Sequence, residues 1–210
     1  MGFINRFDLN RLIQEYSIIN FFETGTWKGD AVAYALQFPF KKIISAEIVG
    51  SLAIEAEDRF RQEPRVIIIS GDSSQALSNM LPGLEGNIIF WLDAHFPGAD
   101  AGLVNYDAEQ DEDIRLPLER ELEVISKLRS GYNDILIIDD LRVYEEGPFE
   151  NGAAPLDTLP KKSPNLDFAG QLFGETHFVL KSYQNEGYML LLPKIPAENP
   201  GSNADLYMNN

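Results

Sequence analysis

The chain has 210 residues, of which 44% are hydrophobic and 24% charged, no cysteine, and a formal net charge of −16 at pH 7. That length and balance suit one sizeable globular domain with a full core, and the missing thiols exclude disulfides, thiolate catalysis and cysteine-ligated zinc. The charge disfavours nucleic acid or an anionic membrane as partner, no apolar run reaches transmembrane length and no secretory leader is expected, so a cytoplasmic location is the default reading.

Residues 7–17 place Phe7, Leu9, Leu12, Ile13 and Tyr16 at helical spacing, which predicts a leading helix over a sheet edge or a ligand pocket. Residues 18–23 form an unbroken apolar run ending in Glu23, the pattern of a buried parallel strand. A helix over 30–38 stops at Pro39, and strands follow at 42–48, 65–70, 87–93 and 134–139. Helices are expected between them at 51–61, with Ser51 as its cap, at 73–80, and at 116–130 before Gly131. Strand and helix alternate every 20–25 residues, which indicates βαβ units and a parallel sheet with helices on both faces. Residues 145–176 read as a long loop with some helix, 177–183 and 188–193 as a β-hairpin around Gln184–Gly187, and 196–210 as a frayed tail after a single domain over 1–195.

The chemistry gathers at the strand ends. Phe21-Phe22-Glu23-Thr24-Gly25-Thr26-Trp27-Lys28-Gly29 reads as strand, tight turn and helix start, with glycines spaced G-x-x-x-G rather than as the dinucleotide fingerprint. Glu47, at the end of the second strand, is placed to accept from ribose hydroxyls. Asp72, in Gly71-Asp72-Ser73, either caps the next helix or faces an adenine amino group. Asp93, Asp139 and Asp140 end the fourth and fifth strands, and neighbouring parallel strands lie roughly 4.8 Å apart. Carboxylates so close repel unless protons or a hard divalent cation lie between them, which points to Mg²⁺, Mn²⁺ or Ca²⁺; capping by Asp140, or its pairing with Arg142, is the alternative. His95, two residues beyond Asp93, is either a general base or a loop residue without chemistry. The acidic run Asp107–Asp113 is a solvated loop, a lid or an extra cation site.

Taken together, ETGTWKG over 23–29, Glu47 in SAEI, Gly71-Asp72-Ser73, WLDAHFPG over 91–98 and IIDDLR over 137–142 resemble class I S-adenosylmethionine-dependent methyltransferases, and among them the metal-dependent O-methyltransferases of the catechol and macrolide-sugar types. The resemblance spans 18–193 and implies a doubly wound Rossmann-like fold with a C-terminal antiparallel hairpin. It implies that Glu23, Gly25, Thr26 and Gly29 lie against the methionine part of the cofactor and that Glu47 holds the ribose. Asp72 and Ser73 would flank the adenine, and Asp93, also a candidate for cofactor binding and catalysis, would hold Mg²⁺ with Asp139 and Asp140. No lysine follows Asp93 as it does in the catechol type, which leaves His95 as the substitute base. The implied reaction is methyl transfer to a hydroxyl of a small molecule. A metal-dependent hydroxylase or hydrolase on the same fold, or a binding module without turnover, are the competing readings. The leading helix and the 145–176 loop are the two candidate faces of a homodimer.

Overall fold

A computed structural model describes residues 3–99, 102–105, 109, 111–155, 159–161, 165–195 and 203–209. Seven strands form one sheet in the order β3-β2-β1-β4-β5-β7-β6. They are β1 (Ile18–Thr24), β2 (Lys42–Glu47), β3 (Val66–Ser70), β4 (Asn87–Leu92), β5 (Ile135–Ile138), β6 (His177–Ser182) and β7 (Tyr188–Pro193). β1 to β5 run parallel, while β7 lies antiparallel to β5 and to β6. The fold is therefore a Rossmann-like, mostly parallel sheet closed by an antiparallel pair, as the strand and helix pattern predicts.

The strands read as unbroken apolar runs because both faces are covered. Successive residues point to opposite sides. Phe22, Ile44, Phe90 and Leu136 pack under α4 (Ser73–Met80), α6 (Leu118–Leu128) and α7 (Asp167–Phe173). Phe21, Ile43, Ile89 and Ile137 pack under α1 (Leu9–Tyr16), α2 (Asp30–Ala35) and Phe60 at the end of α3 (Gly50–Phe60). A short helix, α5 (Glu112–Arg115), precedes α6.

Two expected helix ends move. α3 begins at Gly50, one residue before the expected cap Ser51, because the Glu47 carboxylate accepts from Val49 N at 2.8 Å and satisfies that turn from the strand side. α6 ends at Leu128 rather than near Gly131, because Arg129 turns inward to Asp134, Nε to Oδ2 at 2.7 Å, and donates to the Leu84 and Gly86 carbonyls. The hairpin turns at Gln184–Gly187 as predicted, with Asn185 and Gly187 in the left-handed region.

The expected tail needs correction where it is described. Residues 196–202 lie outside the described residues, but 203–209 are packed. Ala204 and Tyr207 are buried, and Met208 bridges Phe7. Asn209 Nδ2 donates to the Asn5 and Phe7 carbonyls at 2.8 and 3.0 Å, and the Arg11 guanidinium lies 4.4 Å from the Tyr207 ring centre. Tyr207→Ala is expected to lower the unfolding free energy in urea by about 3 kcal/mol, the usual cost of emptying an aromatic site; a frayed segment would give no change.

Candidate functional site

The strand order reverses between β1 and β4, and the crevice beyond the carboxyl ends of the strands at such a switch point is where open α/β sheets bind ligands. A cavity of about 320 Å³ opens there. Its walls come from the Gly25–Trp27 turn, Glu47 and Ile48, Gly71–Ser73, and Asp93–Gly98, with Phe3, Ile4 and Asn5 over the top. The N-terminal segment therefore covers the pocket, in the place expected of the leading helix, and the packed 203–209 segment holds it down.

Gly25 is fixed by its neighbours. Its N–H donates to the Ala46 carbonyl at 2.9 Å and its φ is +85°. A Cβ there would sit 2.6 Å from the Asp93 carbonyl oxygen, so only glycine lets the turn run against the end of β4. Gly29 does not line the cavity. It begins α2 at φ +77°, where a Cβ would meet the Phe60 ring at 2.6 Å, so its reason is helix packing rather than ligand approach.

Glu47 is buried at the rim of the cavity. Oε2 accepts from Trp27 N and Oε1 from Val49 N, both at 2.8 Å, which fixes the carboxylate and leaves further lone pairs for a ligand. Burial raises its pKa, opposed by those backbone N–H groups. Glu23 is fully enclosed and accepts from Ser45 Oγ at 2.5 Å; Ser45 Oγ in turn lies 2.6 Å from Thr26 Oγ1. Burial, opposed by Ser45 and reinforced by Asp93 and Glu47, lifts the Glu23 carboxyl well above the usual range. Asp72 takes the capping role: Oδ1 accepts from Gln75 N at 2.9 Å, and Arg120 lies 3.5 Å from both carboxylate oxygens. Asp72 still lines the cavity, beside the buried Ser73.

Parallel register brings Asp93 and Asp139 together, since Leu92 pairs with Ile138 one residue earlier. Ligand atoms of Asp93, His95 and Asp139 lie within 4.8 Å of one another. Asp140 is not among them. Its backbone is left-handed at φ +53°, and Oδ1 accepts from Arg142 Nε at 2.8 Å. The gathered donor set thus fits a divalent cation, though as two carboxylates and an imidazole rather than the three aspartates expected. Burial, with Asp93 and Asp140 adding, holds Asp139 well above the usual carboxylate range, while His95 opposes. Burial alone would lower the His95 pKa, but Asp93, with Asp140 and Asp139, reverses this and pushes it up to about 9.

Two backbone turns at the site and one buried acid behind it escape sequence reasoning. Trp27 adopts φ +45°, which is strained for a bulky side chain, and its indole N–H has no hydrogen-bond partner among the described residues. Phe96 adopts the same hand of turn and folds back toward Arg115, whose carbonyl accepts from Phe96 N at 2.9 Å. Glu121 is buried behind Ser73 and Thr24. A glutamate sharing the Leu118, Leu122 and Ile125 face of a helix was the available signal. Of the acidic run expected as a lid, residues 107, 108 and 110 lie outside the described residues; just beyond the run, Ile114 and Pro117 reach the cavity. Tyr144 is buried beside a second cavity of about 210 Å³.

Burial raises the Glu121 pKa to about 7; the Ser73 and Thr24 hydroxyls lean toward the carboxyl and oppose the shift, although neither Thr24 Oγ1 nor Glu121 Oε1 completes a well-formed hydrogen bond. The folded chain thus keeps this proton to higher pH than the unfolded chain. Stability falls as pH rises from the ordinary carboxylate range to about 7, then levels off. Glu121→Gln is expected to flatten that decline by on the order of 3 kcal/mol, read as unfolding free energy across the window.

No family model matches the chain, and no curated protein is similar to it in sequence. Solved structures do match. The chain has the Rossmann-like methyltransferase fold. A methyltransferase of Podospora anserina with S-adenosylhomocysteine bound shares 15% identity over 88% of this chain and 76% of its own, at TM-score 0.56. An O-methyltransferase of Bacillus cereus in complex with S-adenosylhomocysteine shares 14% over 89% and 79%, at 0.51. A proposed rRNA methylase of Clostridium thermocellum shares 11% over 93% and 100%, at 0.57. Among the described residues no helix is long and apolar enough to cross a membrane.

Proposed function

We propose that the protein transfers the methyl group of S-adenosylmethionine to a hydroxyl of a small molecule. The observation that carries this is the convergence of Gly25, Glu47 and Asp72–Ser73 on one cavity that ends at Asp93 and His95. Glu47 accepts from the ribose hydroxyls, the Gly25 turn leaves room for the amino-acid part, and Asp72 with Ser73 bounds the adenine. The carboxyls of Glu23, Glu47 and Asp93 line the pocket of a cationic cofactor. The solved O-methyltransferases with this fold point the same way, and a net charge of −16 favours a small acceptor over RNA.

The acceptor hydroxyl lies at the Asp93 end, where its oxygen attacks the sulfonium methyl carbon as the methyl–sulfur bond breaks. Its proton passes to the Asp93 carboxylate. While no metal ion is bound, the raised pKa keeps His95 protonated at neutral pH, as counter-cation to the acids rather than as the expected general base. A divalent cation held by Asp93 and Asp139 would supply acidification of a bound hydroxyl. The chain itself contributes positioning and fixed charge.

The test is turnover. The protein is incubated with S-adenosylmethionine and a panel of phenols, catechols and sugars, and S-adenosylhomocysteine is read by mass spectrometry. Asp93→Asn is expected to lower product formation at least ~100-fold. Equal product from Asp93→Asn, or none from any hydroxyl acceptor despite cofactor binding, would count against hydroxyl methylation.

A further inference from the structure

The acid cluster at the end of the cavity contains one side chain that burial leaves unsatisfied. The His95 side chain is only 5% exposed, and neither ring nitrogen makes a hydrogen bond among the described residues. Nε2 comes within 3.1 Å of Asp93 Oδ1, yet off the angle that a hydrogen bond requires. His177, the other histidine, shows the contrast: Nδ1 lies 2.8 Å from Thr176 Oγ1 and Nε2 lies 3.0 Å from the Asp134 carbonyl. A buried imidazole that has ion-pair contacts to carboxylates but no hydrogen bond on either nitrogen is a polar group waiting for a ligand of its own.

The charges around it support that reading. Asp93, Asp139 and Asp140 meet at the ends of β4 and β5, and Arg142 pairs with Asp140 there. Asp140 Oδ2 lies 3.9 Å from His95 Nε2, and Asp140 is not among the residues whose ligand atoms gather.

We propose that Asp93, His95 and Asp139 form a mixed imidazole–carboxylate site for a divalent transition-metal ion, such as Mn²⁺, Fe²⁺ or Co²⁺, in preference to Mg²⁺ or Ca²⁺. Magnesium and calcium favour all-oxygen ligand sets, and magnesium sheds its waters reluctantly. Imidazole nitrogen suits the first-row transition metals, and two carboxylates supply the oxygen donors that the harder members of the row accept. His95 is then a metal ligand. The inference uses the acceptor end of the cavity assigned under the proposed function, but it does not need methyl transfer to occur.

The test uses the full chain stripped with EDTA. Calorimetric titrations with MgCl₂, MnCl₂ and CoCl₂ at neutral pH give the affinities, and the ring resonances of the two histidines are followed by NMR. Co²⁺ and Mn²⁺ are expected to bind at least ~10-fold more tightly than Mg²⁺. Substoichiometric Mn²⁺ is expected to broaden the His95 ring signals before those of His177. His95→Ala is expected to lose at least ~10-fold in Co²⁺ affinity and to bring the Co²⁺ to Mg²⁺ ratio toward one, while Asp140→Asn changes Co²⁺ affinity less than about threefold. The proposal is overturned if Mg²⁺ binds as tightly as Co²⁺, if no ion binds, or if His95 signals survive saturation with Mn²⁺. The wild-type spectrum decides even if His95→Ala fails to fold. S-adenosylhomocysteine is titrated into the same stripped protein. Cofactor binding without metal uptake sinks the metal site alone, and metal uptake without cofactor binding sinks only the methyltransferase reading.

Discussion

Glu47→Ala is expected to weaken S-adenosylhomocysteine binding by ~100-fold or more while the protein remains folded. The carboxylate is held by Trp27 N and Val49 N, both at 2.8 Å, so it presents its remaining lone pairs in one fixed orientation. Hydrogen bonds to a charged group contribute about 1.5–3 kcal/mol each, and two ribose hydroxyls lost together give about two to four decades in affinity. The alanine also frees the turn that carries Trp27, which adds to the loss. Glu47→Gln retains an acceptor and is expected to fall between the two. Calorimetry measures the affinity, and circular dichroism checks the fold. If Glu47→Ala binds within threefold of wild type, the ribose assignment is wrong.

The second large effect is expected at Gly25. An added methyl would lie 2.6 Å from the Asp93 carbonyl oxygen, 2.9 Å from its carbon and 3.1 Å from Ala94 Cα, all of them backbone atoms that cannot rotate away. The backbone is also left-handed at φ +85°. Gly25→Ala must therefore push the ends of β1 and β4 apart, at about 2–4 kcal/mol of stability, and the same displacement moves Asp93. Thermal unfolding should show a lowered midpoint and calorimetry no cofactor binding. Gly71→Ala is the matched control: its added methyl meets open space within 4 Å, so it bears backbone strain at φ +148° without a clash and should lose less stability. Equal losses at both positions would mean that conformation, not the approach to β4, governs Gly25.

These two positions were legible in the sequence for a physical reason. Strands buried on both faces carry unbroken apolar runs, so their ends are visible as the first glycine or acid that follows. Parallel neighbours in register then bring those ends to one edge, as Leu92 against Ile138 brings Asp93 to Asp139. What stayed hidden depends on local backbone choice or on long-range packing. His95 rather than Asp140 gathers with the two acids, and the left-handed turns beside them at Phe96 and Asp140 are not legible in the sequence. The 203–209 segment is short and Asn203, Asp205 and Asn209 interrupt its apolar residues, so its burial of Ala204 and Tyr207 against α1 and the covering N-terminal segment leaves no periodic signal. Gly29 shows the reverse error: it belongs to the motif by position, yet its constraint comes from Phe60 at the end of α3.

The central claim is that the cavity at the β1–β4 switch point is an S-adenosylmethionine pocket. Titration of the wild-type protein with S-adenosylhomocysteine, with and without a divalent cation, tests it most directly. One site of micromolar affinity, lost in Glu47→Ala, is the predicted result. No heat of binding under either condition, from protein shown to be folded, would contradict it.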